Sequence, residues 1–256
     1  MDDWYLIAST LVFLGGFGLA VASLRSGRPH GGRLHIGLAI VGVILQSLFL
    51  KERGELHGRC PITNGAEVLV FVSWSIVLFY LILGRAFRLS LLGIFTMPMV
   101  FLFQTTALVL LAIADPGPRP SSTMDPWLEL HAAMSLLAYG AFGLGAVAGV
   151  MYLVQDRQLK SHHLGKLFYR LPPIRYLVDA LFRLILIGTA MLTVGIVAAF
   201  FMQQWPGVVH LAIPGAVWLL YTGLLLWQMA RPLSPKRFSL WGMAAFCFAL
   251  ATLLVL

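Results

Sequence analysis

The chain has 256 residues, 59% of them hydrophobic and 11% charged, with a formal net charge of +8 and a mean hydropathy of +0.88. A water-soluble domain carries about 25% charged residues, so this composition excludes a soluble globular fold and fits a chain solvated mostly by lipid. The two cysteines, Cys60 and Cys247, form no disulfide framework or metal-ligand spacing, and no C-x-x-C-H motif for covalent haem attachment occurs.

The first residues, MDDWYLIAST, are acidic where a secretory leader is basic, and no small-x-small cleavage site follows, so residues 4–24 read as a retained first span. Eight spans are expected, at about 4–24, 34–50, 66–84, 89–112, 127–153, 180–203, 209–229 and 238–256. Each approaches the roughly 20 residues that a hydrocarbon core requires. Lipid offers no water to backbone groups, so helices are the architecture for spans of this length. The expected fold is all-α, a polytopic helical bundle forming one transmembrane domain over residues 1–256.

Charge placement orients it. With the N-terminus outward, the inner loops hold Arg25, Arg28, Arg33, Arg85, Arg88, Arg157, Lys160, Lys166, Arg170, Arg175, Arg183, Arg231, Lys236 and Arg237, which is 14 of the 18 basic residues. The outer side keeps Lys51, Arg53, Arg59 and Arg119, together with eight of the ten acids. The positive-inside rule then places both termini outside. The net charge is a topology signal, so nucleic-acid binding is not needed and membrane lipids are the expected partner of this surface.

The outer connector, residues 51–65, reads KERGELHGRCPITNG. Asn64 followed by Glu67 has the spacing of a helix cap, with Glu67 placed to accept the cap backbone N–H; a role for Glu67 at an outward-facing site is the competing reading. In the fourth span Pro98 interrupts the helix hydrogen bonding, and Gln104, Thr105 and Thr106 are expected to bond across helices. Trp127 is an interfacial anchor at the start of the fifth span. In that span His131, Ser135, Tyr139 and Phe142 share a helical face, and Gly145 with Gly149 forms a G-x-x-x-G packing surface. The segment 155–179 is long enough for a surface helix, Pro172 and Pro173 stop it, and Asp179 can pair with Arg183. The short outer connector MQQWPGVVH then brings Trp205 and His210 to the outer surface.

Topology sorts the seven histidines. His30, His35, His162 and His163 lie inward, the last two on a solvated basic surface, whereas His57, His131 and His210 lie outward. Two imidazoles from separate helices can clamp one haem, and Trp127, Trp205 and Trp74 can pack on a porphyrin face. Hydrogen-bonded interface histidines are the bland alternative. A zinc site from His57, His131, His210 and Glu67 is chemically possible but has no supporting spacing. Nothing marks an activated serine near His131, and few ionisable groups sit at the mid-depth that ion pathways use.

Two blocks carry a resemblance: CPITNGAEVLVFVSWSIVLFYLILGRAFRLSLLGIFTMPMV at residues 60–100 and LHAAMSLLAYGAFGLGAVAGVMYLVQDRQLK at residues 130–160. With the S-W at Ser73 and Trp74 and the L-H that opens the fifth span, they resemble the integral-membrane cytochrome c assembly family (the CcsA/ResC group). The resemblance implies a membrane protein that moves haem b across the bacterial cytoplasmic membrane and presents it outside to apocytochrome c. It also implies that His131 corresponds to an external haem histidine and is the metal ligand. The tryptophan-rich outer motif of the family is reduced here to FMQQWPGVVHLA, with Trp205 its one tryptophan and no aspartate. A histidine of the family's seventh span is replaced around Leu226, and no L-H-S-Y-type segment occurs. The chain therefore resembles the reduced YpjD-like and HemX-like members. The expected function is a non-enzymatic, haem-handling accessory of cytochrome c assembly, with His131, His210, His57, Trp205, Trp127 and Glu67 at an outer haem site. The alternative is a membrane scaffold or regulator of haem or respiratory-complex biogenesis without haem ligation.

Overall fold

Eight α-helices run in order through the computed structural model: α1 Trp4–Ser26, α2 Gly32–His57, α3 Gly65–Ala86, α4 Leu92–Ile113, α5 Pro126–Lys160, α6 Ile174–Ala199, α7 Val208–Ala230 and α8 Pro235–Leu253. The structure describes residues 3–26, 32–58, 60–86, 92–113, 125–161, 173–203 and 207–253. Seven of these helices are long and apolar enough to cross a membrane. The eighth, α8, has 19 residues and begins Pro-Lys-Arg, charges that dilute its apolar run. The described chain is thus all-α and polytopic, with seven to eight spans. His30, His162, His163, Pro172 and Trp205 lie outside the described residues.

The helices gather into two compact units, α1–α4 and α5–α8. In the first, α1 packs on α2 and α4, and α3 packs on the same two helices. Their apolar core joins Leu6, Phe49, Leu50, Ala66, Val70, Ala107 and Leu111. Polar side chains link the helices as well. Gln104 Oε1 of α4 lies 2.6 Å from the Ser9 hydroxyl and 3.1 Å from that of Thr10 on α1. Gln46 Nε2 donates to Ser73 Oγ at 2.8 Å, and Trp74 Nε1 donates to Ser47 Oγ at 2.9 Å. Thr105 and Thr106 do not join helices: their hydroxyls donate to the carbonyls of Phe101 and Leu102, one turn back in α4. A short hydroxyl on a helix finds its own i−4 carbonyl more easily than a neighbour, whereas the longer glutamine reaches across.

In the second unit α5 packs on α6 and α8, and α7 packs on the same two. Asp125 caps α5 by accepting from Trp127 N at 3.0 Å, with Pro126 at the first helical position where its missing N–H costs nothing. The helix then runs 35 residues, to Lys160. Its small residues serve two partners. Gly145 faces Leu181 and Leu184 of α6, and Gly149 faces Met243 and the Ser239 carbonyl of α8. The expected shared face of α5 divides likewise: Ser135 and Phe142 meet Gly195 and Gly188 of α6, while the Tyr139 hydroxyl pairs with Thr252 Oγ1 of α8 at 3.0 Å. Phe142 also stacks on Tyr221 of α7, ring centroids 3.7 Å apart and planes 12° from parallel.

That stack fixes the ring against Gly188. A methyl group at residue 188 would lie 2.5 Å from Phe142 Cε1 and 3.1 Å from the Ala138 carbonyl. We expect Gly188→Ala to destabilise the protein by about 1–3 kcal/mol, the usual cost of overpacking. Gly18→Ala, where nothing lies within 4 Å, should be neutral or slightly stabilising because alanine is the better helix former. Thermal unfolding in detergent, followed by circular dichroism, reads both; equal behaviour of the two variants would show that Phe142 is not fixed.

Candidate functional site

The α2 helix does not stop at the membrane edge. It continues through KERGELH, seven residues past the expected span end, and ends at Gly58, whose positive φ of 61° is the left-handed conformation that glycine accepts without strain. The extension is two-faced. Lys51 and Glu55 pair at 3.6 Å on the exposed side, while Arg53 and His57, also four residues apart, turn inward and are 3% exposed each.

Both meet Glu67, in the first turn of α3 and fully buried. Arg53 Nε donates to Glu67 Oε1 at 3.0 Å, and His57 Nε2 lies 3.0 Å from the same oxygen. A carboxylate paired with arginine only accepts, so His57 carries its proton on Nε2. Glu67 Oε2 takes the Thr63 backbone N–H and hydroxyl, both at 2.8 Å. The cap itself is formed by Asn64, whose Oδ1 accepts from Glu67 N at 2.9 Å. The expected capping box is therefore displaced by one residue, because Glu67 takes the N–H of Thr63 rather than that of Asn64. Arg53 also lies 5.9 Å from the centre of the Phe49 ring, a cation–π distance that joins the cluster to the apolar core. His57 Nδ1 is buried without a hydrogen-bond partner among the described residues.

The second constellation lies at the start of α5. Asp125 holds two helix ends together, because its Oδ2 also accepts from Gln203 N, just past α6, at 2.8 Å. Trp127 packs on Phe201, ring centroids 5.0 Å apart, with both rings about half exposed. One turn further, His131 Nδ1 lies 2.8 Å from the Gly195 carbonyl of α6. A carbonyl can only accept, so Nδ1 carries the proton and the Nε2 lone pair of the neutral ring is left available. Gly195 permits this approach: a methyl group there would lie 2.8 Å from Ser135 Oγ and 3.3 Å from the His131 carbonyl.

Of the residues that the sequence led us to expect on the outer side, His57 and Glu67 meet directly in the first unit. His131 and Trp127 stand one turn apart on α5 in the second, and His210 lies in the first turn of α7, in the same unit. Trp74 is held by Ser47 and leans on Phe71 at 5.5 Å. Among the described residues no group of three or more His, Cys, Asp or Glu can hold a metal ion. Sequence reasoning missed Arg53, Thr63 and Gly195. The i, i+4 spacing of Arg53 and His57, closed by Gly58, was a signal for the first; a backbone carbonyl on another helix leaves none.

Residues 62–256 match the Cytochrome C assembly protein family. The chain is 30% identical over 191 residues to Protein HemX of Brevibacillus brevis, covering 74% of this chain and 67% of that one. It is 26% identical over 226 residues to Protein HemX of Bacillus subtilis (strain 168), covering 84% of this chain and 80% of that one. A Cytochrome c biogenesis protein CcsA of Nostoc punctiforme is 29% identical over 140 residues, which is 52% of this chain and 39% of that protein. The family match takes in Thr63, Glu67 and His131 but begins after Arg53 and His57.

Removing Glu67 would leave the Arg53 guanidinium buried without its carboxylate. We expect Glu67→Ala to cost about 3–5 kcal/mol, the usual penalty for one half of a buried pair. The double variant Arg53→Met/Glu67→Leu should cost clearly less than the single one, since it removes the stranded charge. Thermal unfolding in detergent measures both, and a double variant as unstable as Glu67→Ala would contradict the ion-pair account.

Proposed function

The chain belongs to the Cytochrome C assembly protein family, and we propose that it is a haem-handling accessory of cytochrome c assembly, binding haem b non-covalently at the outer face of a bacterial cytoplasmic membrane. The observation that carries this reading is the bond from His131 Nδ1 to the Gly195 carbonyl at 2.8 Å. Ligating histidines characteristically donate their second ring N–H to a carbonyl or carboxylate, which fixes the tautomer and aims the other nitrogen. His131 is held in that manner, is half-buried, and has no partner for Nε2 among the described residues. In donor chemistry it fits an axial haem ligand. In this reading His131 would hold haem, its imidazole supplying a nitrogen donor to the iron.

Trp127 and Phe201 supply exposed aromatic surface one turn away. His210 lies in the first turn of α7, and the reading takes it as the second residue that would hold haem, with Trp205 preceding it in sequence. This reading does not use His57, whose unpartnered ring nitrogen, Nδ1, is buried. The partners in this reading are haem and an apocytochrome c or another assembly protein.

A second reading, a scaffold or regulator of haem or respiratory-complex biogenesis without haem, is favoured by the matched lengths. The chain spans 80% of the Bacillus subtilis HemX but 39% of the Nostoc CcsA. In that case the His131–Gly195 bond serves only to join α5 to α6, and the basic segment 155–179 is the contact for a partner.

The two readings separate in the visible spectrum of detergent-purified protein expressed with ample haem. The haem reading expects a haem b spectrum that His131→Ala abolishes or converts to a different ligation state. His131→Asn is the sharper variant: its amide can still donate to the Gly195 carbonyl, so thermal stability should be kept while the spectrum is lost. A wild-type protein without haem, or one whose spectrum survives in His131→Asn, sinks the haem reading.

A further inference from the structure

The last two helices share a surface feature that none of the preceding chemistry uses. Between α7 and α8 runs an open groove of about 710 Å³, lined by Leu219, Gly223, Trp227, Trp241 and Phe248, with Arg237 at its charged end. The two tryptophans are 61% and 60% exposed, so the groove opens outward from the α5–α8 unit. A methyl group added at Gly223 meets nothing within 4 Å, and the floor of the groove is therefore open space.

The charge at one end is of one sign. Arg231 follows α7 directly, Lys236 and Arg237 stand in the first turn of α8, and all three are exposed. No aspartate or glutamate follows Asp179 in the sequence, so neither helix of the groove carries an acid. None of the three cations has an ion-pair partner among the described residues. The acids of the same unit are Asp125 and Glu129 at the start of α5, Asp156, paired with Lys160 at 2.8 Å, and Asp179, beside Arg175 and Arg183 in sequence. The end of the unit that bears the α7–α8 turn is thus strongly cationic, and the positive-inside rule assigns it to the cytoplasmic leaflet.

We propose that this groove is a binding site for an anionic glycerophospholipid, with its acyl chains along Leu219, Trp227 and Phe248 and its phosphate among Arg231, Lys236 and Arg237. Apolar walls, an aromatic pair near the interface and a cationic end match the three parts of such a molecule in order. A volume of 710 Å³ falls within the ~300–1,000 Å³ of small-ligand pockets, and is well below the roughly 2,000 Å³ of a membrane-spanning helix about 10 Å across. The lining residues include no histidine, cysteine or methionine, so the groove offers haem iron no protein ligand. The anionic surface of the cytoplasmic leaflet attracts each nearby Lys or Arg by an amount equivalent to about fivefold in affinity.

The test is native mass spectrometry of the full chain in micelles containing phosphatidylglycerol or, separately, zwitterionic phosphatidylethanolamine. The wild type should retain one phosphatidylglycerol and little phosphatidylethanolamine. Arg237→Gln should weaken retention about fivefold, and Arg231→Gln/Lys236→Gln/Arg237→Gln should abolish it. Gly223→Leu fills the groove while leaving all three cations in place, and should also release the lipid. Unchanged thermal unfolding without lipid separates these effects from misfolding, and a variant that fails this check is replaced by Gly223→Val at the same position. Retention that ignores both the charge and the filling variants, or that is equal for the two lipids, overturns the proposal as ordinary annular lipid. Loss of a haem spectrum in Gly223→Leu would also overturn it, by assigning the groove to haem.

Discussion

The close approach of α5 and α6 is the constraint on which the α5–α8 unit depends. Inside a membrane, lipid tails are as apolar as leucine, so helices gain no hydrophobic advantage by touching; they associate through packing contacts and a few hydrogen bonds. Two glycines on α6 make that packing possible. At Gly188 the missing side chain receives the Phe142 ring, and at Gly195 it lets the helix meet Ser135 and the His131 backbone. Only at such a separation can an imidazole on α5 reach a carbonyl of α6. The backbone already uses one lone pair of a helical carbonyl, and the second remains for the side chain. The position of His131 is thus set by an absent atom on a different helix.

The α1–α4 unit solves the same problem with polar side chains. Gln104 with Ser9 and Thr10, Gln46 with Ser73, and Trp74 with Ser47 tie its helices together. The Glu67 cluster is the extreme case, because a carboxylate and a guanidinium are both removed from solvent. Desolvating each ion costs several kcal/mol, and here four donors from three residues besides asparagine's cap offset it: Arg53, His57 and both groups of Thr63. The position of the cluster is as important as its composition. It sits where α2 ends and α3 begins, so its charges are spared the cost of mid-depth burial.

The helical architecture was legible in the sequence because apolar runs of about 20 residues have few other physical solutions. Their ends were less so. The α2 helix was expected to stop at the first charges, but hydropathy reports solvation and not backbone conformation. The charged segment stays helical through Lys51–Glu55 pairing and through burial of Arg53 and His57. Asn64 was legible as a cap, yet the partner of Glu67 was off by one residue, since a flexible carboxylate chooses among adjacent N–H groups by geometry that spacing cannot resolve. The shared face of α5 was legible as a face, but not that Tyr139 turns to α8 while Phe142 turns to α6 and α7. Periodicity gives a direction around one helix, whereas the number and placement of its neighbours are tertiary facts. Gly195 left no signal as a hydrogen-bond acceptor because every residue has a carbonyl.

His57 and His131 each donate one ring N–H, the first to a buried carboxylate and the second to a neutral carbonyl. His57 donates from Nε2 to a buried carboxylate that also binds arginine, in a set where losing one member leaves a charge stranded at a cost of several kcal/mol. His131 donates from Nδ1 to a neutral carbonyl, and a single side-chain hydrogen bond between membrane helices contributes on average about 0.6 kcal/mol. That amount is small beside the packing of α5 on α6, which the glycines secure independently. The main consequence of the His131 bond is therefore its effect on the ring: one tautomer, one orientation, and a lone pair on Nε2 at the end of a helix. A contact too weak to matter much for the fold is strong enough to decide which nitrogen of His131 carries the proton.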